Sequence, residues 1–106
     1  LSVKNLIDSQ NIINLPETME PKVVILQEGT DMLYHSRSPD DTMGYIYTLI
    51  NIVKAKFPKT IIIVNSIIGK KNYLTQLLMK ANSNIKWVCR EKQVVFCDTH
   101  KRLPSD

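Results

Sequence analysis

Three short runs of consecutive apolar residues constrain this chain more than any other feature. They are Val23-Val24-Ile25-Leu26, Thr60-Ile61-Ile62-Ile63-Val64 and Val94-Val95-Phe96-Cys97. A strand with one wet face alternates apolar and polar side chains, and none of these runs alternates. Each therefore reads as a strand covered on both faces, which is the pattern of a parallel sheet packed between helices. The second run is β-branched at every position, which suits a pleated, packed surface. About 30 residues separate one run from the next, and each gap holds a helical pattern. Strand, helix and strand at that spacing form a right-handed parallel crossover.

The first gap opens on Ser38-Pro39-Asp40-Asp41. Ser38 suits an N-cap, Pro39 the first helical position, and the two acids the positive end of the helix dipole. Met43, Ile46, Ile50, Val53 and Phe57 recur at helical spacing with Leu49 beside them, until Lys54, Lys56 and Pro58 mark the stop. The second gap predicts a helix from near Asn72, with Leu74, Leu77, Leu78, Ala81, Ile85 and Val88 on one face. Lys80, Asn84 and Glu91 fall outside that face, and Trp87 is expected to pack beside it. Ahead of the first strand, Val3, Leu6 and Ile7 suit a short helix, Ile12, Ile13 and Leu15 follow, and residues 16–21 read as a linking turn. The expected fold is a single α/β domain over residues 1–106, a three-layer sandwich with a short parallel sheet. It has three main strands in flavodoxin-like order and two to three helices.

A net charge of +4 is mild and leaves no strong electrostatic footprint for nucleic acid. No stretch approaches the roughly 20 apolar residues of a membrane-crossing helix, so no membrane partner is expected. The opening residues carry no signal-peptide pattern. Cys89 and Cys97 read as two free, buried thiols of a protein kept in a reducing, cytoplasmic compartment. Neither has a cysteine or histidine at ligand spacing, so no metal site and no cofactor are expected.

In an open parallel sheet, ligands bind beyond the carboxyl ends of the strands. All three ends are polar here: Gln27-Glu28-Gly29-Thr30-Asp31, Asn65-Ser66 and Asp98-Thr99-His100. If the strands are neighbours, these groups share one rim. Asp98 suits orienting a partner, and His100 suits a general base. Thr30, Asn65 and Ser66 are candidates for contacting a substrate. Ser66 and Ser9 are weak candidates for a nucleophile, since neither stands in a strand-to-helix elbow. His35 lies beside Arg37 in a loop. Lys70-Lys71 is the best candidate phosphate contact, although no aromatic platform accompanies it. A solvated surface is the ordinary role of such lysines.

Pro21 to Met32, reading Pro-Lys-Val-Val-Ile-Leu-Gln-Glu-Gly-Thr-Asp-Met, resembles the strand of SGNH (GDSL-type) hydrolases that ends in a Gly-x-Asn-Asp motif. Phe57-Pro58-Lys59-Thr60 with its isoleucine strand, and Val95-Phe96-Cys97-Asp98, resemble later parts of the same domain. The nearest flavour is the esterase-like domain encoded by LINE-type retrotransposons. The resemblance implies a central portion of that fold, incomplete at both ends, with Gly29, Asp31, Asp98 and His100 at catalytic positions.

Departures from the pattern weaken the catalytic implication. Asp31 stands where the family's Asn donates to the oxyanion, and a carboxylate repels negative charge there. Met32 stands in the place of the family's Asp. Asp8-Ser9 is the sole echo of a Gly-Asp-Ser nucleophile motif, and no histidine follows Asp106. The expectation is a catalytically incomplete domain acting by association, most simply as a homodimer through a sheet edge or helix face. The alternatives are a carboxylic-ester hydrolase whose nucleophile strand lies outside the chain, and a weakly nucleic-acid-associated domain.

Overall fold

The computed structural model describes residues 18, 20–27, 33, 38–68 and 75–98 of the 106. Among them the order is β1 (Val23–Leu26), α1 (Pro39–Lys56), β2 (Ile61–Asn65), α2 (Thr75–Lys92) and β3 (Val95–Cys97). The three strands form one parallel sheet in the order β1-β2-β3. This is the expected α/β class with its parallel sheet. In a doubly wound sheet such as 2-1-3-4-5, the strands on one side of the switch point follow one another in this sequential way.

Sequential order has a geometric consequence. Two right-handed crossovers that step in the same direction place both helices over the same face. Accordingly, α1 and α2 pack against each other as well as over the strands. Ile46, Leu49, Ile50 and Val53 of α1 join Leu78, Ala81, Ile85 and Val88 of α2 in a single core. Val24 and Leu26 of β1 and Ile62 and Val64 of β2 supply the floor of that core.

The opposite parity behaves differently. Register pairs Val23 with Ile61, Ile25 with Ile63 and Ile63 with Val95, so these five side chains share the second face. Ile61 is 56% exposed and Val95 51%, while Val23, Ile25 and Ile63 are partly buried. The expectation that every strand is covered on both faces is therefore met on one face only among the described residues. An unbroken apolar run cannot tell its inner face from its outer one.

Two strand boundaries differ from expectation for the same reason, competition for backbone N–H groups. The Thr60 N–H donates to the Phe57 carbonyl at 3.1 Å in the turn after α1, and the ladder begins with Ile61 N–H to the Lys22 carbonyl at 2.9 Å. The Val94 N–H donates to the Cys89 carbonyl at 2.9 Å and closes α2, so β3 begins at Val95. The expected start of the second helix near Asn72 lies outside the described residues. Trp87 departs from expectation as well: it is 55% exposed instead of packed beside the stripe.

The helix ends follow the sequence signals. The Asp41 N–H donates to the Ser38 hydroxyl at 3.1 Å, with Pro39 opening α1 and Asp40 and Asp41 in its first turn. At the far end of α2, the Gln93 N–H donates to Arg90 O and Val94 N–H to Cys89 O, the paired bonds of a Schellman cap. Val94 packs on the core, as that motif favours. Gln93 occupies the left-handed position with φ of 57°, where a side chain costs roughly 1 kcal/mol. Gln93→Gly is expected to raise stability by about 0.5–1 kcal/mol despite glycine's looser unfolded chain. An increase in the urea midpoint at unchanged slope is the expected reading.

Candidate functional site

The carboxyl-end rim is built outward from the pair Asn65–Cys97, the last residues of β2 and β3 in register. Asn65 closes β2 on the second face and is partly buried. Ser66 follows, and its N–H donates to the Cys97 carbonyl at 2.9 Å, extending the ladder one step past β2. Asp98 follows Cys97 and is partly buried. The structure thus places Asn65, Ser66 and Asp98 at the neighbouring carboxyl ends of β2 and β3. Gly29, Thr30, Asp31, His100, Lys70, Lys71, Ser9 and His35 lie outside the described residues.

Ser66 is only 5% exposed, because its parity turns it to the helix-covered side of the sheet. A nucleophile must reach its substrate, and this hydroxyl has little outside surface with which to do so. The rim also lacks a crevice among the described strands. A switch-point crevice needs a reversal of strand order, and β1-β2-β3 contains none.

The residue that shapes this rim is Asn82, which the sequence reading passed over. Its Oδ1 accepts from the Ile67 N–H at 2.6 Å and its Nδ2 donates to the Ile67 carbonyl at 2.9 Å. One side chain on α2 thereby satisfies both backbone groups of a buried residue that has just left the ladder. A signal was present. Asn82 lies four residues after Leu78 and three before Ile85, on the apolar stripe of the helix, where an amide needs partners.

Two clefts open at the other end of the sheet. One, of about 410 Å³, lies between Lys22, Lys56, Phe57 and Lys59. The second, of about 290 Å³, lies between Lys54, Ile61, Gln93 and Val95. Thr60 lines both, and its hydroxyl oxygen is buried with no hydrogen-bond partner. Lys54 and Lys56 stand in the last turn of α1 and complement its negative carboxyl end. The Lys54 ammonium donates to the last α2 carbonyl, Lys92 O, at 2.6 Å, and the Lys92 ammonium sits 5.0 Å from the centre of the Tyr47 ring. Lys54 thus serves the end of α2, and Lys92 is held over the Tyr47 ring, which accounts for the position of these two cations.

Both cysteines are free thiols, as expected, but only Cys89 is buried; Cys97 is partly exposed, because it ends β3 on the face away from the helices. Cys89 is 1% exposed, and loss of solvation pushes its pKa up to about 11. It stays a neutral core thiol at pH 7, with no nucleophilic character. Among the described residues, no three His, Cys, Asp or Glu side chains group to hold a metal ion. No described helix is long and apolar enough to cross a membrane. No protein-family model matches the chain, and no curated protein is significantly similar to it in sequence.

Proposed function

We propose that this chain is a catalytically incomplete, SGNH-hydrolase-like domain that acts by associating with a second copy of itself. The observation that carries the reading is the outer surface of α2. Met79 is 62% exposed and Trp87 55%. They stand eight residues apart, about two helical turns, with exposed Ser83 between them on the same side. Lys80, Arg90 and Glu91 are exposed around them. A tryptophan and a methionine inside a charged border have the composition of an interface centre with a polar rim. The buried Ser66, and the lack of a strand-order reversal among the described strands, favour association over ester hydrolysis.

Sedimentation velocity of the full chain tests this. A concentration-dependent dimer is expected, and Trp87→Ala is expected to weaken it at least about 30-fold, the effect of removing a central aromatic anchor. A chain that stays monomeric at the highest soluble concentration refutes the reading. So does turnover of p-nitrophenyl acetate that is lost in Ser66→Ala or His100→Ala, which would make the domain a hydrolase.

A further inference from the structure

We infer that the exposed face of α2 binds single-stranded nucleic acid, with Trp87 as the platform on which a base stacks and Lys80, Lys86 and Arg90 as contacts to the phosphates. This goes beyond the self-association proposed for α2, because the strand takes the same face in place of a second copy.

The net charge of +4, spread over the whole chain, conceals a local concentration. Lys80, Lys86, Arg90 and Lys92 stand on α2 against one carboxylate, Glu91. Met79, Lys80, Ser83, Lys86, Trp87 and Arg90 are all exposed and recur at steps of three and four, so they form one stripe about 17 Å long. Helix-end electrostatics account for Arg90, which lies in the last turn. They do not account for Lys80 and Lys86, which lie in the body of the helix. No carboxylate stands three or four residues along the helix from any of the three. Lys86 and Arg90 are themselves four apart, a spacing at which like charges repel. A polyanion laid along the stripe relieves that repulsion.

The aromatic decides which polyanion. Trp87 is 55% exposed, and an indole held open among cations offers a stacking surface to any unpaired base. A duplex keeps its bases stacked inside and presents only its backbone and groove edges. An acidic membrane surface fits less well. An interfacial membrane helix carries its cations on the face opposite its apolar one. On α2 the opposite face is the protein core, and Arg90 falls within the arc bounded by Met79 and Trp87.

Trp87 is the chain's single tryptophan, so its fluorescence reports on this face alone. Titration of the full chain with an oligothymidylate of about ten nucleotides is expected to quench it. The affinity is expected to fall roughly 20-fold between about 50 and about 200 mM salt, the slope of about −2 that three cations give at about 0.7 each. By anisotropy of a labelled oligomer, Trp87→Ala is expected to weaken binding at least about 5-fold. Lys86→Gln is expected to weaken it and to flatten the salt slope by about 0.7. Absence of quenching at about 100 μM oligomer and low salt overturns the inference, as does quenching no stronger with the single strand than with a duplex. A blue shift of the emission on phosphatidylserine vesicles, with no quenching by the oligomer, overturns it and assigns the face to a membrane. Sedimentation without oligomer reads the self-association separately. A dimer that the oligomer does not quench sinks this inference alone, and a monomer that it does quench sustains it while refuting the dimer.

Discussion

Asn82→Ala is expected to lower the unfolding free energy by about 2–4 kcal/mol, measured by urea denaturation at constant slope. The truncation removes little apolar surface. Its cost arises because the Ile67 N–H and carbonyl, bonded to Asn82 at 2.6 and 2.9 Å, lose their partners in a place where Ile67 itself is buried. Each unpaired buried group costs about 1–3 kcal/mol, and entry of water into the gap recovers part of that. Asn82→Asp separates the two bonds. The carboxylate still accepts from the Ile67 N–H but cannot donate to the carbonyl, so its loss should be recovered in part at low pH, where the protonated acid regains a donor. Equal stability of Asn82→Ala and the unaltered chain would mean that the bridge is not formed in solution.

Ile50→Ala is expected to cost about 3–4 kcal/mol, a large share of the 5–15 kcal/mol that holds an ordinary domain together. Ile50 is fully buried on α1, in the core shared by both helices and the covered side of the sheet. The loss combines the transfer free energy of the removed carbons with the cavity that a close-packed interior cannot fully collapse. Chemical denaturation measures it. A loss under 1 kcal/mol would mean that the α1 stripe is not seated as described.

Much of the fold is legible in the residues, and what is not legible has identifiable causes. The strand Val23–Leu26 and the capped start at Ser38 can be read directly, because an apolar run and a cap each answer to one local cause. Where two structures compete for one N–H, the sequence shows both and cannot choose. Thr60 and Val94 look like strand residues yet serve a turn and a helix cap. Gln93 carries no mark of the left-handed backbone that most helices assign to glycine. Trp87 looks like a core residue by composition and proves exposed, since helical spacing alone does not tell the edge of a stripe from its outside. For the candidate site, the parallel register puts Asn65, Ser66 and Asp98 at the adjacent carboxyl ends of β2 and β3. The inward turn of Ser66 depends on strand parity, which is decided by where the helices lie.

The unbroken strand order has a bearing on how the chain finds its shape. Among the described strands, β1 pairs with β2 and β2 with β3, so each pairing joins neighbours along the chain. Each ring to be closed contains one β-α step, and the entropy lost in closing it grows only with the logarithm of its length. The sheet can therefore nucleate at either pairing and lengthen outward from the shared central strand. Ile63 and Val64 pair in both steps, which makes β2 the natural seed of this three-stranded assembly.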